Sequence, residues 1–520
     1  MRKGSLKRML EAAESDKIGA HSSASDVNAT FDLYDLPSTL GDEEIQRVIN
    51  TQKPPPIQIS SPADVSLLIQ ESYKSMNLNQ SLREQYPHDP TRFVDSEIDL
   101  DEKIKIFHSV VLDSTFVAAF TEHQGLKLFA DLLQHPNEDI CVEVVRVLEE
   151  LTREGGLDAV EPTIILKASS LGDGLKSLIP RLSSDTEGTL SCLQLISNLF
   201  EISQSELVPI FQTTEFIMAL VNMIRDSAEL PEWVYNRSLA SEILLDVIQS
   251  FTNVLHLEEA LHNSTLETIM SLAKIHPPND DPLTRELSDN LMDCLIAVLS
   301  SSARSRDTMG RMGCVEKFIE LTLDSKTQTK ALEVIEATVR GSSENCEKLI
   351  KVGGLRNIGK TLVESVGNEG SSKTIELILI ILNSLIRNTT NTSHARVIGK
   401  MIENNFEKTR AVVEIYLANY RRVRSLKVAD DLTETDVYLM KCEAGLLLIQ
   451  QSVVLVIRLF AEPNNVLRQR ILNLLNEMRV DIQRFIRSVF EYLAMINDED
   501  SSGDAEALRE QLMLFQSQAL

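Results

Sequence analysis

Side chains able to bind an extended peptide recur near the ends of apolar segments in this chain. Asn198 precedes the last apolar residue of Ile196-Ser-Asn-Leu199, and Asn253 and Asn388 occupy comparable positions. An asparagine amide can donate to and accept from a peptide backbone. Each residue alone could equally be a helix cap or a solvated polar group, since both are common at helix ends. Together they predict a peptide-binding site.

Acidic side chains complete this candidate site. When the segments Glu149-Glu-Leu151 and Ser197-Asn-Leu199 are aligned, Glu150 takes the place of Asn198. A carboxylate at such a position can bind Lys or Arg of a ligand. Glu143, on the same apolar segment, is the second acidic candidate.

Motifs of catalysis and metal binding are missing from the sequence. The nine histidines form no H-E-x-x-H pattern and no cysteine–histidine pair at metal spacing, and no G-x-S-x-G elbow occurs. Gly172-Asp-Gly174 is interpreted as a turn between helices, because no strand precedes it as a phosphate loop requires. We therefore predict a protein that is not an enzyme, without catalytic residues, metal ligands or cofactors.

The elements that must position the candidate site are helices. In residues 139–152, apolar residues recur at intervals of three and four, which is the period of an amphipathic helix. Residues 191–202 and 330–339 behave in the same way, and convincing alternating strands are absent. Glycine (20) and proline (16) are scarce, which also favours long helices. The predicted fold class is all-α.

A repeat organises these helices. A glycine, a short apolar helix, a turn and a longer apolar helix recur from Gly125 and from Gly174, and again from Gly313 and from Gly353. Periods of about 40–47 residues are typical of armadillo and HEAT repeats, in which stacked helices share a core. We predict an armadillo/HEAT-like α-solenoid, whose longer helices would line a concave groove.

Three regions follow from this pattern. Residues 1–62 are polar and end in a proline-rich stretch, which predicts a disordered segment. Residues 63–496 form the predicted solenoid. Residues 497–520 are predicted to be a flexible acidic tail with a short terminal helix.

The charge is large and uneven. The chain carries a formal charge of −26, and residues 131–260 contain 22 acidic but only 7 basic residues. Such a surface repels nucleic acid phosphates and attracts basic segments. The alternative is that these carboxylates only keep a helical stack soluble.

The C-terminal part of the predicted solenoid has a different charge balance. Residues 401–496 contain 13 basic and 12 acidic residues and could contact an acidic partner, RNA backbone or a second copy of the chain. Contact with a second copy would give a homo-oligomer through the C-terminal helices. The alternative is ordinary solvated helix faces.

Localisation signals are weak. The six cysteines are widely spaced and lie mostly in apolar helical patterns, which predicts reduced thiols in a reducing compartment. The N-terminus lacks the apolar region of a signal peptide, and the most apolar stretches are shorter than the ~20 residues that span a bilayer. We expect neither secretion nor membrane insertion.

Short motifs recur in order along residues 70–495: they include Glu71-Ser-Tyr-Lys74, Tyr86-Pro-His-Asp-Pro90, Asp95-Ser-Glu-Ile-Asp-Leu100, Lys330-Ala-Leu332, Gly354-Leu-Arg356, Ser384-Leu-Ile-Arg-Asn388, Tyr438-Leu439 and Arg468-Gln-Arg470. In this order they resemble the beta-catenin-like protein family, which comprises spliceosome-associated nuclear armadillo proteins. Two features depart from the family: the N-terminal region is short and poor in basic clusters, and only Ala429–Asp436 stands where an acidic insertion is expected.

The resemblance implies a non-catalytic nuclear scaffold of pre-mRNA splicing, associated with the nineteen complex of the spliceosome. It also implies that the partners are basic, import-signal-like segments of splicing factors, including the Myb-type subunit of that complex, without direct specific nucleic acid binding. The alternative is a nuclear-transport-type adaptor or a regulatory subunit that binds and controls another enzyme. Only Trp233 is available for the tryptophan ladder typical of transport adaptors, which favours the scaffold.

Overall fold

The computed structural model describes residues 57–153, 169–182, 184–274, 281–427, 433–495 and 498–519. Within these ranges the regular elements are all helices, which confirms the all-α prediction. Most of the N-terminal segment predicted to be disordered, residues 1–56, lies outside the described residues. The described chain divides into two compact units: one extends to Leu261 and includes Pro282–Leu287, and the other comprises His262–Asp281 and Ser288–Leu520.

The first unit contains twelve described α-helices and the first residues of a thirteenth that leads out of it. They are α1 (Pro62–Gln85), α2 (Val94–Ile106), α3 (His108–Val111), α4 (Ser114–Glu122), α5 (Gly125–Leu132), α6 (Glu138–Thr152), α7 (Ser169–Arg181), α8 (Thr186–Ile202), α9 (Gln204–Phe211), α10 (Thr214–Asp226), α11 (Val234–Gln249) and α12 (Val254–Ala260). Short 3₁₀ turns lie at Pro90–Arg92 and Pro231–Trp233.

The second unit continues the helical pattern. Its helices are α13 (Asn263–Leu272), α14 (Pro282–Ser301, which begins in the first unit), α15 (Ala303–Arg311), α16 (Cys314–Ile319), α17 (Gln328–Val339), α18 (Ser343–Lys351), α19 (Gly354–Ser365), α20 (Ser372–Asn388), α21 (Asn391–Arg424), α22 (Glu434–Glu443), α23 (Leu446–Ala461), α24 (Asn465–Glu477), α25 (Ile482–Met495) and α26 (Asp498–Ala519). Short 3₁₀ turns lie at Glu320–Leu323 and Glu369–Ser371, and α21 is broken at Glu403–Phe406 by non-helical backbone.

Long helices stack on one another within each unit. In the first unit α6 packs against α8 and α8 against α11, and in the second α17 packs against α20 and α20 against α23. The first three begin at Glu138, Thr186 and Val234, a spacing of 48 residues each time (186 − 138 and 234 − 186). We call these six the ladder helices. Because each ladder helix buries apolar side chains on its neighbours, no helix pair has to bury its core alone.

Glycines take two different roles at the repeat boundaries. Gly353, from which one predicted repeat starts, has the positive φ of 83° and lies directly before α19. The predicted turn at Gly172-Asp-Gly174 is wrong, because these residues lie inside α7. A Cβ at Gly174 would come within 2.8 Å of Leu133 Cβ, so this glycine allows close helix packing instead of a turn.

The C-terminal residues form a docked helix. Where the sequence predicts a flexible tail with a short helix, the structure has the 22-residue helix α26. Its Leu508, Leu512 and Phe515 are buried, and it packs against α23 and α25. The spacing of these apolar residues gives the helix one apolar face that packs on its neighbours. The acidic residues at its start do not indicate this face.

Among the described helices, no single one is long and apolar enough to cross a bilayer. Helices α22 and α23 reach the required length and composition only together, as a pair bent by 68°.

We expect Phe129→Ala to destabilise the first unit by about 3–5 kcal/mol, because it would leave a cavity in an aromatic cluster. The Phe129 ring is fully buried and lies 5.1 Å from Phe107 and 5.0 Å from Phe120 between centroids. Urea unfolding measures the change. Leu112→Ala, at a side chain that is 85% exposed, is the control and should change stability by less than ~0.5 kcal/mol. Equal effects would contradict the packing.

Candidate functional site

The ladder helices of the first unit share one register. Counted from the first residue of each helix, the thirteenth residue is Glu150 in α6, Asn198 in α8 and Asp246 in α11. We call this the ladder position. N-caps fix two of the helix starts: the Asn137 side chain accepts from Asp139 N at 3.0 Å, and the Asp185 side chain accepts from Gly188 N at 3.0 Å. The caps therefore help to set which side chains reach the ladder position.

Asn198 ties α8 to the end of α6. Its Nδ2 donates to the carbonyl of Glu149 at 3.4 Å and to Thr152 Oγ1 at 3.1 Å. The side chain is half-buried, so it lies at the edge of the helix stack and not in open solvent. The amide predicted to read a peptide backbone thus uses its donor group to hold two ladder helices in register.

Glu143 and Glu150, the two predicted acidic residues, lie together and clamp a histidine. His108 Nε2 is 3.0 Å from Glu143 Oε1, and His108 Nδ1 is 2.7 Å from Glu150 Oε2. Arg146 Nη1 also lies 3.3 Å from the Glu143 carboxylate. The Glu143 side chain is 10% exposed and that of Glu150 is 40% exposed. An internal cation therefore already occupies the space between these carboxylates.

The histidine in this clamp is a strong base. The hydrogen bond to Glu143, reinforced by Glu150, raises the pKa of His108 to about 9, although burial opposes this change. The same contact lowers the pKa of Glu143. At neutral pH the clamp is thus a protonated imidazole between two carboxylates, and only Glu150 retains an exposed edge for a ligand.

Asn253 and Asn388 are not brought to this place. Asn253 is the exposed N-cap of α12 and accepts from Leu255 N at 2.9 Å, which is the helix-cap alternative in the sequence analysis. Asn388 is the last residue of α20 in the second unit and is half-buried. Its Nδ2 is buried.

A cluster of carboxylates that was not predicted from the sequence lies around the ladder position of α11; we call the surface around the ladder positions of a unit its ladder face. The cluster comprises Glu201 at the end of α8, Glu242 and Asp246 on α11, and Glu286 at the start of α14. Burial and the charges of Asp246, Glu286 and Glu201 raise the pKa of Glu242, and burial raises the pKa of Asp246. Ser238 Oγ donates to Glu286 Oε2 at 3.1 Å.

Unlike the histidine clamp, this acidic cluster has no cation among the described residues. Among the residues that the structure describes, no Lys or Arg forms an ion pair with Glu201, Glu242 or Asp246. The 48-residue spacing would have found Asp246, since it follows Asn198 as Asn198 follows Glu150. Asn253, the residue predicted from the sequence to bind peptide, lies seven residues beyond the ladder position.

Carboxylates grouped as in this acidic cluster can bind a cation. No group of three or more His, Cys, Asp or Glu side chains with metal-binding geometry occurs in the described ranges. Adjacent carboxylates that repel one another on stacked helices favour Lys or Arg side chains of another molecule. Stacked helical repeats with such a face define a scaffold-type protein of the armadillo class.

Comparisons with known proteins agree with this class. The model of the family described as "Catenin-beta-like, Arm-motif containing nuclear" matches residues 44–491, so the chain belongs to this family and the resemblance is confirmed. Beta-catenin-like protein 1 homolog of Schizosaccharomyces pombe is 25% identical over 466 residues, which are 83% of this chain and 78% of the relative. Beta-catenin-like protein 1 of Homo sapiens is 25% identical over 460 residues, which are 82% and 80%.

A designed armadillo repeat protein superposes with a TM-score of 0.35 and 18% identity, over 50% of this chain and 99% of its own.

We expect the clamp to make stability depend on pH. Because the folded pKa of His108 is about 9 and its ordinary value is 6.5, its stabilisation is complete below pH 6.5 and is lost as the pH rises through 9. His108→Gln should cost about 1–3 kcal/mol below pH 6.5 and much less above pH 9. Urea unfolding at both ends of this range measures it, with the exposed His256→Gln as control. A pH-independent difference would contradict the clamp.

We expect Glu242→Gln to stabilise the chain at neutral pH. A raised pKa means that the folded state disfavours the carboxylate, so removing the charge should raise the free energy of unfolding by up to about 1 kcal/mol. The gain should vanish well below pH 4.5, where the carboxyl group is protonated in both states. Glu259→Gln, on α12, makes the same charge change outside the cluster. If Glu242→Gln destabilised the chain, the cluster would have a hidden counter-ion.

Proposed function

We propose that this protein is a non-catalytic nuclear scaffold of pre-mRNA splicing that is associated with the nineteen complex. On this proposal it binds basic, import-signal-like segments of splicing factors, including the Myb-type subunit of that complex. The binding surface is the ladder face of the first unit, and its principal carboxylates are Glu201, Glu242, Asp246 and Glu286.

The observation that carries the binding proposal is a group of like charges for which the described residues supply no Lys or Arg counter-ion. Burial and the charges of Asp246, Glu286 and Glu201 raise the pKa of Glu242, so its carboxylate is disfavoured at this place. A protein that gained only solubility from these groups could have spread them over the surface. A Lys or Arg side chain placed among them relieves the repulsion and forms charge-assisted hydrogen bonds.

The geometry favours an extended ligand. Neighbouring packed helices lie about 8–10 Å apart, and an extended chain advances about 3.3 Å per residue. Basic residues spaced by roughly three positions would therefore meet successive ladder helices. Glu150 and Asn198 continue the same ladder positions toward α6, and their exposed edges would contact the ligand beyond the acidic cluster.

The nuclear and splicing parts of the proposal rest on the family. Its description includes the word "nuclear", and the relatives named above are similar to this chain over about four fifths of its length. The ordered motifs that resemble the splicing-associated members extend over most of the solenoid.

We expect the full-length protein to bind a Lys/Arg-rich peptide whose basic residues are three positions apart. Asp246→Asn and Glu242→Gln should each weaken binding about threefold to fivefold, and the double variant about tenfold or more, because each removes one partly exposed ion pair. Fluorescence anisotropy with labelled peptide measures the affinity. Raising the salt concentration should weaken binding of the wild type and have less effect on the double variant.

Two controls make this test specific. Glu259→Gln changes the net charge equally and should leave the affinity within twofold, and a peptide with Gln at its basic positions should not bind. Salt-independent binding, or equal losses for Glu259→Gln and Asp246→Asn, would reject the acidic cluster as the site.

A separate experiment tests the cellular role. A tagged copy should be found in the nucleus and copurify with splicing factors. Copurification with transport receptors and without splicing factors would favour the adaptor alternative, whatever the peptide result.

A further inference from the structure

The ladder face of the second unit carries an acidic helix of the same chain. Helix α26 packs against α23 and α25 through Leu508, Leu512 and Phe515. The Phe515 ring lies 4.9 Å from Phe460 and 5.7 Å from Phe485 between centroids. These aromatic rings form the apolar part of the contact.

One carboxylate fixes the other end of α26. Asp504 Oδ1 and Oδ2 accept from Arg458 Nη2 at 2.9 and 3.0 Å, and Arg387 Nη1 lies 3.3 Å from Asp504 Oδ2. The Arg458 side chain is only 7% exposed, whereas Arg387 is 45% exposed. A buried guanidinium without a carboxylate would be costly, so Arg458 needs an acidic partner whenever its site is closed.

Arg458 stands at the ladder position of its helix. It is the thirteenth residue of α23, and its Nη1 donates at 2.9 Å to the carbonyl of Asn383, the twelfth residue of α20. In the first unit, Asn198 makes the same contact with the carbonyl of Glu149, the twelfth residue of α6. The two units thus share a ladder register, but the second has a cation where the first has Glu150 and Asp246.

We propose that the ladder face of α20 and α23 is a recognition site for an amphipathic helix of a partner protein, with α26 as its internal occupant. The partner helix would carry Asp or Glu followed by large apolar residues four, eight and eleven positions later, as Asp504 is followed by Leu508, Leu512 and Phe515. Arg458 and Arg387 bind its carboxylate, and Phe460 and Phe485 bind its apolar face.

An acidic helix of a partner can replace α26 because it supplies an equivalent carboxylate for Arg458. Release of α26 alone breaks the ion pair of Arg458 with Asp504 and exposes the buried Leu508, Leu512 and Phe515, so opening is unfavourable in the absence of a substitute. An incoming acidic helix restores the same ion pair, and the exchange then costs little. The internal helix also leaves Gln511 Oε1 buried without a hydrogen bond in the described structure, an imperfection that a better-matched helix would remove.

The site can be tested with a labelled peptide of residues 498–519 added to the full-length protein. Asp504→Asn in the protein weakens the internal helix, so this variant should bind the peptide at least tenfold more tightly than the wild type does. Asp504→Asn in the peptide should reduce that affinity at least tenfold. Glu506→Gln, an exposed position on the same helix, should leave the protein within twofold of the wild type. Equal peptide affinities of the Asp504→Asn and wild-type proteins would overturn the proposal.

Hydrogen exchange of the wild-type protein decides the question even if Asp504→Asn does not fold. Amides of residues 505–515 should exchange at least a hundredfold faster than those of residues 453–460 in α23, and excess peptide should accelerate their exchange further. Equal protection of the two segments would make α26 a fixed part of the core and overturn the proposal. A wild-type dimer that Asp504→Asn abolishes would assign the site to a second copy of the chain and overturn the partner helix.

Discussion

The register in which the ladder helices stack is the constraint on which the rest of this structure depends. In both units, the thirteenth residue of one ladder helix donates to the carbonyl of the twelfth residue of the helix before it, through Asn198 and Glu149 in one and through Arg458 and Asn383 in the other. Apolar burial holds the helices together but does not by itself choose an axial position. A directional hydrogen bond at a fixed place does, because it is lost when a helix slides by one residue.

That register places side chains of successive helices at equivalent points, where their charges either pair or repel. The carboxylates of Glu143 and Glu150 are paired, because His108 from a short preceding helix lies between them. Within the described ranges no Lys or Arg pairs with Glu242 or Asp246, and burial together with neighbouring carboxylates raises the pKa of Glu242. Surface carboxylates that lower stability without a structural role are typical of a binding site. The same ladder position in the second unit is basic and is filled by Asp504.

Much of the fold could be predicted from the sequence, because helix periodicity and turn glycines are local signals. The three-and-four spacing in residues 139–152 corresponds to α6, and Gly353 marks the start of α19. Gly174 misled the prediction, because a glycine that admits a neighbouring helix looks the same in sequence as one that makes a turn. For the candidate site, aligning Glu150 with Asn198 found the correct register. One more step of 48 residues would have found Asp246 in place of Asn253.

The sequence by itself determined that the chain is helical and repetitive, that its acid is concentrated in residues 131–260, and that its motifs resemble the catenin-beta-like family. Only the tertiary structure decided which acidic side chains form ion pairs within the chain, because ion pairing depends on distances between residues far apart in the sequence. His108 lies 35 and 42 residues from its two glutamates, and Arg458 lies 46 residues from Asp504. Local patterns carry no record of such distances, so the same residue type is paired with a histidine in one place and, among the described residues, has no Lys or Arg partner in another.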